Sequence, residues 1–203
     1  MKLSLLFLTA ALAFAHDFRA ADWGMTKDQV VASEKSAPLG HETSGEQLLL
    51  RYVSPEGAML HGRLTYIFVG GKLVRAKYIS DARHEDVNEF INDFMAAERV
   101  ISAEFGKPAT DRTVWESDAS QLERLPYLEQ DRAHASDILP SDNAGISVAL
   151  GHLKMYTERI KAGTRIVHAL TGSDSRITHQ IEFRSIELEK RENTAARQGE
   201  PSR

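Results

Sequence analysis

Gly62-Arg63-Leu64-Thr65-Tyr66-Ile67-Phe68-Val69-Gly70-Gly71-Lys72-Leu73-Val74-Arg75-Ala76-Lys77-Tyr78-Ile79-Ser80 decides the fold class. Leu64, Tyr66 and Phe68 alternate with Thr65, Ile67 and Val69, so each set falls on its own side of a strand. A Gly-Gly pair between two such runs predicts a tight hairpin, because both central residues accept positive φ. The pairing is therefore antiparallel. Upstream, residues 47–53 read as a third strand, closed by Ser54-Pro55-Glu56-Gly57.

Two helices flank these strands. Thr26 followed by Gln29 is a capping box, with Met25 and Val30 in the positions of a hydrophobic staple, which predicts a short helix over 27–35 ended by Pro38 and Gly40. Trp23 is expected to pack that helix onto the sheet rather than to serve as an exposed platform. Val87, Phe90, Ile91, Phe94, Ile101 and Phe105 then draw one apolar stripe at helical spacing. Asp81 is the expected cap, and Gly106 with Pro108 ends the element. Further strands are expected at 113–116, 146–156, 165–171 and 176–187; in the last, Ile177, His179, Ile181 and Phe183 alternate with polar residues. The segment 117–143, broken by Pro126 and Pro140, is the irregular stretch, a lid, an interface or a plain insertion. The expected architecture is α+β, with two helices on one face of an antiparallel sheet in the order α-βββ-α-ββββ.

The first fifteen residues read as an export signal. Lys2 gives the positive start, residues 3–14 an apolar core, and Ala13-Phe14-Ala15 a cleavage site that leaves His16 as the new terminus. The apolar run is shorter than the roughly 20 residues of a spanning helix. The expected layout is a leader at 1–15, a single domain at 16–187 and a charged, flexible tail at 188–203, with a periplasmic or secreted destination. The chain has no cysteine, so neither a disulfide nor a lipid-bearing thiol is available. Loss of Lys2 with the leader leaves 24 basic against 29 acidic residues, a net charge of −5. Along the chain that charge is unclustered and no basic face is visible, so neither nucleic acid nor a membrane surface is an expected partner.

Eight histidines invite a metal reading. With 172–175 as the turn, Thr171 pairs with Arg176 and His168 lies opposite His179, on a largely apolar face. Two imidazoles side by side suit zinc, copper or acid sensing. A third ligand is not in reach, since His152 falls on the order of 13 Å away along the neighbouring strand. Structural histidines are therefore favoured, and a one-residue slip in register separates the pair. No GxSxG elbow is present, and Ser136 beside His134 lies in a polar stretch with nothing to orient the imidazole. Glu85-Asp86 and Glu187/Glu189 are explained by solvation at a helix start and in the tail. No catalytic residue, cofactor site or metal site is assigned.

Phe18-Arg19, Trp23-Gly24-Met25-Thr26 with Val30, Tyr66-Ile67-Phe68, Lys72-Leu73-Val74-Arg75-Ala76-Lys77-Tyr78, Phe105-Gly106-Lys107-Pro108, Trp115 and Ala169-Leu170-Thr171-Gly172 together resemble a group of small secreted bacterial proteins of unknown role. That likeness implies a compartment and a shape. The Gly24-Met25-Thr26 helix start is similar also to the small lipoprotein subunit of the outer-membrane β-barrel assembly machinery, which implies a helix-plus-sheet module that binds proteins. The combined expectation is a non-enzymatic exported binding or accessory protein of unknown ligand, with another envelope protein as its expected partner. The alternatives are a secreted inhibitor or envelope-stress factor, and a metal-binding or hydrolytic protein using His168 and His179.

Overall fold

A computed structural model describes residues 16–44, 47–56, 58–115 and 144–190. The first half of the chain runs α1 (Lys27–Ser33), β1 (Gly40–Ser44), β2 (Gln47–Val53), β3 (Gly62–Val69) and β4 (Lys72–Ser80). The second runs α2 (Glu89–Phe105), β5 (Thr110–Trp115), α3 (Ala144–Ala149), β6 (Leu153–Lys161), β7 (Thr164–Ser173) and β8 (Arg176–Ser185). The protein is α+β, built on one eight-stranded antiparallel sheet in the order β1-β2-β3-β4-β8-β7-β6-β5. Two four-stranded meanders meet where β4 pairs with β8.

The quoted hairpin forms as read. Gly70 and Gly71 take φ of 56° and 74°, and β3 pairs with β4 from Gly62↔Ser80 to Val69↔Lys72. The capping box is also present: Gln29 N–H donates to Thr26 Oγ1, and Thr26 N–H donates to Gln29 Oε1 at 2.8 Å. Trp23 does join α1 to the sheet. Its Nε1 donates to Thr164 Oγ1 at 2.8 Å, and its ring stacks on Phe18.

Four expectations are corrected. The count of two helices and the order α-βββ-α-ββββ give way to α-ββββ-α-β-α-βββ, and residues 186–190 are helical as well. The extra strand is β1, whose five residues are all exposed and so carry no alternation to read. The span 146–156 divides, because Ala144, Gly145, Val148 and Ala149 bury one helical face before β6 begins at Leu153. Asp81 does not cap α2. Asn88 holds the cap position, and its side chain instead accepts from Gly145 N–H at 3.0 Å, tying α2 to α3. At the far end, 186–190 stay helical where a tail was expected from 188, with Leu188 N–H donating to Ser185 Oγ. Residues 1–15, expected as a leader, the segment 117–143 and residues 191–203 lie outside the described residues.

Helices α1, α2 and α3 pack on one face. Val30 of α1 and Ile101 of α2 join Leu50, Tyr52, Leu64, Tyr66, Tyr78, Ile166, Ile181 and Phe183 in one apolar cluster. Ile91 and Phe94 of α2, with Ala144 and Val148 of α3, join Leu153, Met155 and Leu170 in another. Small side chains let α3 approach closely. A Cβ on Gly172 would lie 1.9 Å from the Val148 carbonyl oxygen, so only glycine fits beneath the helix.

Candidate functional site

His168 and His179 meet, but not in the expected register. The turn between β7 and β8 is the two residues Asp174 and Ser175, at φ of 50° and 60°, and Ser173 pairs with Arg176. His168 thus lies opposite Ile181, and His179 opposite Leu170. The displacement is two residues. Because side chains alternate with a period of two, both rings stay on the helix-covered face and meet diagonally. Their Nε2 atoms are 2.8 Å apart.

Around them is a polar network that the histidines alone do not announce. Glu98 projects from the apolar stripe of α2, one turn after Phe94, while Thr157 and Arg159 occupy inward positions of β6. Glu98 Oε2 accepts from His168 Nδ1 at 3.0 Å and from Thr157 Oγ1 at 2.7 Å. Its Oε1 accepts from Ser102 Oγ at 3.0 Å and from an Arg159 terminal nitrogen. Arg159 also donates Nε–H to the Gly106 carbonyl at 3.0 Å, at the end of α2. The Phe94 ring stacks on His168 with centroids 4.0 Å apart.

The protonation pattern follows from these partners. Burial alone would raise the Glu98 carboxyl, but hydrogen bonds from His168, Arg159 and Thr157 and the Arg159 charge hold it at about 2. Glu98 is a carboxylate, so His168 carries its proton on Nδ1 and offers the Nε2 lone pair. His179 then donates Nε2–H to that lone pair and keeps its own lone pair on Nδ1, which has no partner. Burial pushes His179 down to about 3, helped by His168, and burial lowers His168 too despite its contact with Glu98. Both rings are neutral and closed to solvent, at 0% and 1% exposure. A groove of about 710 Å³ runs past Arg19, Glu34, Tyr78 and Val100, and another of about 540 Å³ past Trp23, Gly163 and Leu188. Neither is lined by His168 or His179. Among the described residues no group of three or more His, Asp or Glu side chains is placed to hold a metal ion. Ser136 and His134 lie outside the described residues.

The other face of the sheet differs in kind. Alternation sends Arg51, Arg63, Arg75, Lys77, Arg165 and Arg184 to it, with Glu42, Glu158 and Glu182. A basic face therefore exists where the linear charge pattern shows none. Its members come from strands far apart in sequence, each contributing only one or two cations. Glu182 sits at its centre, with Arg184 Nη2 at 3.0 Å, Lys77 Nζ at 3.5 Å and an Arg75 nitrogen at 3.9 Å. Val53 and Ile160 lie exposed on the same side, toward opposite ends of the sheet.

Comparison of the chain with protein-family models, with curated proteins and with solved structures finds no match.

Proposed function

We propose that this chain is an exported, non-enzymatic binding or accessory protein whose contact surface is the open face of its sheet. The observation that carries the reading is the division of labour between the two faces. Helices α1, α2 and α3 pack on one side, and the imidazole pair there is engaged by Glu98 and Phe94. The opposite side offers charged and apolar side chains from six neighbouring strands, β2 to β4 and β6 to β8. Such a broad, mixed surface suits a macromolecular partner better than a small substrate. The leader supports the exported half of the reading.

Burial of both histidines favours this reading over a hydrolytic or metal-binding one, since a reacting group must reach its substrate. The test places a photo-reactive residue at Ile160, on the open face, or at Val100, exposed on the outer side of α2. In producing cells, cross-links to one repeated partner from Ile160 and not from Val100 are expected. Cross-links confined to Val100 would overturn the choice of surface. Mass measurement of the mature chain should place its first residue at His16, and an uncleaved cytosolic chain would overturn export.

A further inference from the structure

Three arginines stand side by side on the open face. Arg75 is directly opposite Arg184 across β4 and β8, and Arg184 is directly opposite Arg165 across β8 and β7. Like charges in direct register destabilise a sheet, so the row carries a cost that the sheet itself does not explain. Its compensation within the chain is partial. Arg184 reaches Glu182 at 3.0 Å and Glu189 at 3.2 Å, while Arg165 reaches Glu158 only at 3.3 Å in a half-exposed pair. Arg165 Nε is the atom that lies 3.3 Å from Glu158, while the buried Arg184 Nε and the buried Glu182 Oε1 each lack a hydrogen bond. Arg75, Lys77, Arg165 and Arg184 thus share three carboxylates, Glu158, Glu182 and Glu189, and the positive charge left over is open to an external anion.

Resting on the binding function proposed above, we infer that the Arg75–Arg184–Arg165 row is a docking site for the carboxylates of an acidic polypeptide segment. Adjacent strands are about 4.8 Å apart, so the row presents guanidinium groups at a pitch that neighbouring carboxylates of one chain can meet. The chain carries a net charge of −4. Positive potential on this face is thus local, and it steers an acidic partner there rather than to the rest of the surface. A continuous phosphate backbone fits less well, because Glu158, Glu182 and Glu42 interrupt the cations. Exposed Val53 and Ile160 add apolar contacts that a polypeptide can match with side chains.

The test uses the full chain and a fluorescent synthetic peptide with glutamate at every second position, read by anisotropy. Binding should be salt-sensitive, and Arg165→Glu should weaken it by about tenfold or more. Lys107→Glu makes the same change of charge at an exposed position after α2 and should leave affinity within about twofold. If Arg165→Glu lowers the melting temperature, Arg165→Gln keeps the length and should weaken binding in the same direction. Absence of peptide binding, equal losses in both charge reversals, or tighter binding of a single-stranded oligonucleotide of equal charge would each overturn the inference. The binding reading separates cleanly from it. A partner cross-linked from Ile160 whose capture ignores both salt and Arg165→Glu would end the acidic-segment inference while leaving the contact surface intact.

Discussion

Two charged clusters sit back to back on the same strands. On the covered face, Glu98, Arg159, His168 and His179 form a closed network in which one nitrogen, His179 Nδ1, lacks a partner. On the open face, Arg75, Lys77 and Arg184 surround one central carboxylate, Glu182, with Arg165 on Glu158, and the Arg184 Nε donor and the Glu182 Oε1 acceptor stay without a hydrogen bond. The residue types overlap and neighbouring positions supply both: His168 follows Val167, which sits on the open side next to Glu182. What separates them is strand alternation, which decides whether a charge enters low dielectric or stays near water. In the first setting a charge must be matched by geometry; in the second an imbalance is tolerated and becomes usable.

The largest expected effect tests the covered network. Glu98→Ala would leave the Arg159 guanidinium, 2% exposed, without its counter-ion. A loss of about 3–5 kcal/mol is expected from breaking one side of a buried pair, measured by urea denaturation. A loss below about 1 kcal/mol would place the network among ordinary surface contacts and erase the contrast.

Acid gives the next largest effect, and its sign is fixed by burial. His179 titrates at about 3 when folded, against an ordinary histidine value near 6.5. Below that ordinary value the unfolded chain takes up a proton that the folded chain refuses, so stability falls as pH drops from about 6.5 toward 3. The slope is about 1.4 kcal/mol per pH unit for each such histidine, and His168 is shifted in the same direction. Glu98, held at about 2 against an ordinary carboxyl value of 4.5, adds to the loss only below about pH 4.5. His179→Leu should flatten the stability profile between pH 6 and 4. An unchanged slope would show that the His179 ring does not stay neutral in the folded protein.

Gly172→Ala probes the seal over the covered face. The added Cβ would press on the Val148 carbonyl at the foot of α3, and a cost of about 1–3 kcal/mol is expected from such overpacking. A melting temperature equal to that of the parent chain would mean that α3 moves aside freely, and that the histidines are less enclosed than their contacts imply.

The sequence tells these two regions apart unevenly. The Gly70-Gly71 hairpin, the Thr26–Gln29 cap and the α2 stripe are legible because each rests on neighbours within one turn or one strand. β1 is not, since a wholly exposed strand has no pattern. Nor is the Asp174-Ser175 turn, where left-handed residues other than glycine hide a two-residue connection. The histidine pair survives that error because an even slip preserves the face. Glu98 went unassigned although it falls in phase with the α2 stripe, and Thr157 and Arg159 lie past the strand end expected at 156. The cationic row is different: Arg75 and Arg184 become neighbours only through the β4–β8 pairing, a long-range contact that composition and spacing do not encode.

The smallest expected effect is on the open face, and its smallness is the point. Arg165 and Glu158 form an ion pair with both side chains 38% exposed, and pairs of that kind contribute about 0–1 kcal/mol. Arg165 also faces Arg184 in direct register, so its removal relieves repulsion as it breaks the pair. The two terms oppose, and Arg165→Ala should change stability by no more than about 0.5 kcal/mol in either direction. Urea midpoints at low and moderate salt check this, because screening weakens both terms together. A loss above about 2 kcal/mol would make the arginine row part of what holds the sheet, and its surplus charge would then need no partner. A neutral result, next to a large loss for Glu98→Ala, would mean that one face holds the molecule together while the other is free to meet something else.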